Sequence, residues 1–100
     1  MDKRFRPLTP VEQLHAREAV TAALRAHPEW TFVQALRYVR KTLRLTIDDM
    51  AKIGRVSDQT LRNIEAGRSS PSLDTATRLL EPFGLRLSVT TVSRQDEPAA

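Results

Sequence analysis

Between Thr46 and Gly67 the chain spells out two short helices joined by a tight turn, and this stretch constrains the fold more than any other. Thr46 is placed to cap the first of the two, with Asp48 and Asp49 in its opening turn, where negative charge favours the helix dipole. Gly54-Arg55-Val56 reads as the turn. Ser57 caps the second helix, and Gly67 is its C-terminal stop. In that second helix Leu61 and Ile64 share one side, while Asp58, Gln59, Arg62 and Asn63 fall on the other at i, i+3 and i, i+4 spacing.

The flanking sequence supplies further helices. Residues 1–8 read as a basic arm. Thr9-Pro10-Val11-Glu12 is a capping box with proline at the first helical position, predicting a helix from Pro10 to about Ala26. Its apolar positions are Val11, Leu14, Ala19, Val20, Ala23 and Leu24, and His27-Pro28 stops it. Thr31 caps the next helix with Gln34 as reciprocal partner, and Phe32, Leu36, Val39 and Leu43 recur at helical spacing toward a core. After the loop 68–72, a fifth helix is expected from Leu73 to Glu81, burying Leu73, Ala76, Leu79 and Leu80, with Pro82 awkward at its end and Gly84 closing it.

From Leu85 the period changes. Leu85, Leu87 and Val89 alternate with Arg86, Ser88 and Thr90, which is strand patterning through Val92. A lone strand leaves its backbone donors and acceptors unpaired, and the chain offers no second candidate. The simplest partner is the same strand of another copy across a two-fold axis; the alternative is an extended tail lying on the helices. The expected fold is all-α: a five-helix domain with one C-terminal strand used for dimerisation. It divides into an arm and extra helix (1–30), a central domain (31–84), a dimerisation strand (85–92) and a disordered tail (93–100).

A chain of 100 residues with 40% hydrophobic content supports one modest core. The absence of cysteine excludes disulfide staples and cysteine-based zinc sites. With no apolar run near a membrane span and no signal-peptide pattern, a cytoplasmic location is expected. The net charge of +4 is uneven: residues 31–68 hold eight basic and four acidic side chains, residues 69–100 three and four. A positive excess around the two-helix segment suits a polyanion. Asn and Gln pair bidentately with adenine, Arg with guanine, and Asp accepts from cytosine, so Asp58, Gln59, Arg62 and Asn63 form a candidate base-reading set for double-stranded DNA.

Arg40, Thr46-Ile47, Met50-Ala51, Arg55-Val56-Ser57, Leu61 and Glu65-Ala66-Gly67 stand at gapless spacing. With Pro71-Ser72-Leu73 they give Phe32–Gly84 a close resemblance to the phage Cro/repressor, or XRE, helix-turn-helix family. The resemblance implies a sequence-specific transcriptional regulator, a dimeric repressor on an inverted-repeat operator, and a partly buried structural ion pair between Arg40 and Glu65. The expected backbone-holding residues are Thr46, Lys52, Arg55, Ser57, Thr60 and Arg68. Two departures stand out. Ile47 replaces a glutamine that often holds a phosphate in the family. Arg55 occupies the usual turn glycine, with Gly54 one place early, so either the turn is reshaped or Arg55 is forced left-handed. The helices followed by an alternating segment resemble HipB-type antitoxins, which repress their own operon and bind a toxin; the extra helix at Pro10–Ala26 is the feature that suits a protein partner.

Other chemistry is poorly supported. His15 and His27 have no neighbouring ligands at metal-binding spacing, Ser69-Ser70 has no base, and no glycine-rich phosphate loop occurs, so neither an enzyme nor a metal or other cofactor is expected. Trp30 and Tyr38 read as core or groove residues rather than a stacking platform.

Overall fold

The structure, a computed structural model, describes residues 6–91. Five helices follow one another: α1 (Pro10–Ala26), α2 (Phe32–Thr42), α3 (Ile47–Gly54), α4 (Asp58–Glu65) and α5 (Leu73–Leu80), with a 3-10 turn at Glu81–Phe83. α2 packs against α1 and α4, and α3 against α4 and α5. Leu36, Val39, Met50, Leu61, Ile64 and Leu79 are fully buried where these helices meet. Residues 1–5, Val92 and the tail 93–100 lie outside the described residues.

Every helix opens on a hydroxyl cap: Thr9, Thr31, Thr46, Ser57 and Ser72 each accept from the amide three residues on. In α1, α2 and α3 the return half of the capping box is also made, by Glu12, Gln34 and Asp49. Three of the C-terminal ends share one pattern. At the ends of α2, α3 and α4, a residue with positive φ closes the helix: Arg44 (56°), Arg55 (57°) and Gly67 (75°). The following amide then reaches back five residues: Leu45 to Arg40, Val56 to Ala51 and Arg68 to Asn63. This is the Schellman arrangement, which satisfies carbonyls the helix would leave unpaired.

The turn between α3 and α4 keeps its left-handed residue, and Arg55 adopts it. Gly54 is a buried helical residue of α3 instead. A Cβ on Gly54 would stand 2.7 Å from Leu79 Cδ2 and 3.4 Å from Leu79 Cα. Glycine is therefore required at 54 by the close approach of α3 to α5, not by backbone conformation.

Several further sequence expectations change. No strand occurs among the described residues, and residues 85–91 form a tail without regular structure. A ladder needs a second strand, and the described residues provide none. Leu85 is half-buried against the core, Leu87 lies at the surface and Val89 is 98% exposed. The fifth helix ends at Leu80; Glu81-Pro82-Phe83 winds on as a 3-10 turn, with Pro82 near its start, where no amide donor is needed, and Gly84 closing it at φ 73°. Leu73 is 79% exposed rather than buried, since it is the first residue of α5 and lies beyond the packed face. Val11 and Leu14 are likewise exposed: α1 meets the core only through its second half, around Val20 and Leu24.

Candidate nucleic-acid interface

α4 is held from behind and open in front. Leu61 and Ile64 bury its inner side, and Val56 and Ile47 pack beside them. Glu65, its last residue, is anchored by α2. Arg40 Nε donates to Glu65 Oε2 at 2.8 Å and Arg40 Nη2 to Oε1 at 2.9 Å. The side chains are 14% and 7% exposed, and Arg40 Nη1 also donates to the Leu45 carbonyl. Arg37 stands 4.0 Å from the same carboxylate. The bidentate pair fixes the angle between α2 and α4 with planar geometry that lysine could not supply.

The outer side of α4 carries Asp58, Gln59, Arg62 and Asn63, the first three exposed and Asn63 half-buried. They are tied into two short networks. Arg62 Nε lies 4.0 Å from Asp58 Oδ2. Gln59 Nε2 donates to Asn63 Oδ1 at 3.1 Å, and Arg68 Nε donates to the same oxygen at 3.1 Å. The i, i+4 spacing foreshadows the four members on α4; the approach of Arg68 depends on the left-handed turn at Gly67 and was not legible in the sequence.

The residues expected to hold a backbone surround this face. Ser57 Oγ accepts from the Thr60 amide at 3.0 Å and donates to Thr60 Oγ1 at 2.7 Å, so the Thr60 hydroxyl hydrogen is directed elsewhere. Thr46 Oγ1 accepts from the Asp49 amide at the start of α3 and retains its own hydrogen as a donor. Lys52 is exposed and reaches Asp48 Oδ2 at 3.3 Å. Arg55 is exposed, with its carbonyl accepting from Arg78 Nη1 at 3.1 Å, a cross-brace from α5 to the turn that sequence reasoning missed. Ile47, where a phosphate-holding glutamine is common in the family, is a packing residue here.

Away from this face, Leu87 lines a groove of about 380 Å³ with Phe32, Val33, Pro71 and Leu73. His27 and Trp30 stack at 4.4 Å, and Trp30 leans on Tyr38 at 5.1 Å, closing the corner between α1 and α2. No helix among the described residues is long and apolar enough to cross a membrane.

Comparison with known proteins follows the same outline. The helix-turn-helix family model matches residues 36–90, from the middle of α2 to the tail, leaving α1 outside. An uncharacterized HTH-type transcriptional regulator of Methanocaldococcus jannaschii is 37% identical over 62 residues, which is 62% of this chain and 94% of that protein. No solved structure matches significantly. With the anchored α4, its capped N-terminus and the left-handed turn before it, the chain belongs to the XRE-type helix-turn-helix family of DNA-binding transcriptional regulators.

Proposed function

We propose that the protein is a sequence-specific DNA-binding repressor that acts as a dimer on an inverted-repeat operator. One observation carries this reading: α4 buries one side and presents four hydrogen-bonding side chains on the other, starting in its first turn. A helix is about 10–12 Å across, and the major groove is about 12 Å wide. Asp58, Gln59, Arg62 and Asn63 meet base edges there. Thr46 and Thr60 donate hydroxyl hydrogens to phosphates, Ser57 contributes at the backbone by aiming the Thr60 hydroxyl outward, and Lys52, Arg55 and Arg68 supply positive charge.

Dimerisation through Leu85, Leu87 and Val89 completes the reading. It is supported by the alternation of the segment and by the full exposure of Val89, a β-branched apolar side chain without cover in the single chain. Two copies would place two α4 helices about 34–36 Å apart, one turn of DNA. Selection of bound sequences from random duplexes tests the proposal. It should return an inverted repeat, and enrichment of no sequence would refute it.

A second reading has its own observation. α1 lies outside the matched stretch and keeps Val11 and Leu14 exposed on its first half, which suits a protein partner such as a toxin encoded next door. Co-expression with that neighbour should yield a complex that Val11→Asp and Leu14→Asp together abolish; a complex indifferent to both would remove α1 from the interface.

A further inference from the structure

We infer that Arg68 sets the polarity of the two amide readers and thereby decides which base edge each can take. The inference rests on the DNA-reading function proposed above. The Gly67 turn folds the chain back over α4: the Arg68 amide donates to the Asn63 carbonyl at 2.9 Å, which brings the guanidinium beside the Asn63 side chain. Arg68 Nε and Gln59 Nε2 then both stand 3.1 Å from Asn63 Oδ1.

A guanidinium has donors and no acceptor. The Asn63 atom facing it is therefore the carbonyl oxygen, because turning the amide over would set N–H against N–H. The Gln59 atom facing that oxygen is in turn its NH2. One cation orients both amides, and both of Asn63's acceptor sites are occupied.

The consequences for the two readers are opposite. Asn63 meets a base only through its NH2, as a donor to guanine N7 or O6, thymine O4 or adenine N7. It cannot form the bidentate adenine pair, which requires its oxygen. Gln59 uses one amide hydrogen on Asn63 and retains its oxygen and the other hydrogen, which is the set that pairs with adenine N6 and N7. Adenine is thus assigned to Gln59, and an acceptor-edged base, guanine first, to Asn63. Arg68 is a positioning residue for specificity as well as a source of positive charge.

The test is sequence selection followed by titration of single-base variants of the selected duplex, using the full chain and its Arg68→Met, Arg68→Lys and Asn63→Asp variants. Arg68→Met should allow the bidentate adenine pair at the Asn63 position and lower discrimination there by roughly five- to a hundredfold, the range of one base contact. Arg68→Lys, which also presents donors only, should restore it. Asn63→Asp keeps the acceptor for Gln59, so adenine should persist at the Gln59 position while the preference for guanine at the Asn63 position is lost. If Arg68→Met weakens all duplexes equally and leaves every preference intact, Arg68 holds phosphate alone and the inference is wrong. If the unaltered chain enriches no sequence, the proposed function itself fails.

Discussion

At position 54 the chain has no room for a methyl group, and at position 55 it carries a side chain in a backbone conformation that favours none. These neighbours should respond to substitution with opposite signs. Gly54→Ala drives a Cβ into Leu79 Cδ2 at 2.7 Å and should cost about 1–3 kcal/mol by overpacking. Arg55→Gly relieves a left-handed residue and should raise stability by up to about 1 kcal/mol, part of the relief being offset by the greater freedom of glycine in the unfolded chain. Urea unfolding of both variants checks the pair. The sequence showed a glycine displaced by one place but left open how the turn responds; deciding that required Leu79, which is remote in sequence and adjacent in space. The pairing of Arg40 with Glu65 came from the family resemblance, and its bidentate geometry from the structure. Arg40→Met should cost about 3 kcal/mol, the lower part of the range for a buried charge left alone, because Arg37 remains 4.0 Å from Glu65. A double-mutant cycle with Glu65→Leu measures the coupling.

Helix starts were the most legible elements, because a hydroxyl followed by a polar residue three places on is a local signal that needs no tertiary context. The same cap makes α1 sensitive to acid. The Thr9 amide, followed by Arg6, pulls the Glu12 carboxyl from 4.5 down to about 2. Between these values the unfolded chain binds more protons than the folded one. The stabilisation is therefore fully present above pH 4.5 and is lost as pH falls through about 2. NMR titration of Glu12 should give a midpoint near 2, and Arg6→Ala should move it upward. What was not legible is which part of an amphipathic face finds a neighbour. Val11 and Val20 look alike in the pattern, yet only Val20 is buried. Val20→Ala should cost about 2 kcal/mol for two lost methyl groups and a small cavity, whereas Val11→Ser should leave thermal stability unchanged. The strand expected at 85–92 is absent from the described residues 85–91 for the same reason: alternation says which residues share a face, not what lies opposite.

At the scale of the whole molecule, the proposed function joins the outer side of α4 to a tail whose exposed Val89 a second copy would cover. Removing residues 85–100 should convert dimers to monomers in sedimentation and weaken operator binding; a truncated chain that remains a tight dimer would move the interface to the helices. Lys52, Arg55 and Arg68 give three cations per copy at the face, so a dimer neutralising six phosphates should show a log–log salt slope of about −5. The most direct measurement of the central claim is binding of Gln59→Ala, Arg62→Ala and Asn63→Ala to the selected operator and to scrambled duplex at several salt concentrations. Each variant should lose roughly 1–3 kcal/mol on the operator, little on scrambled DNA, and keep the salt slope. If all three retain the full preference for the operator, α4 does not read the sequence and the proposed function is contradicted.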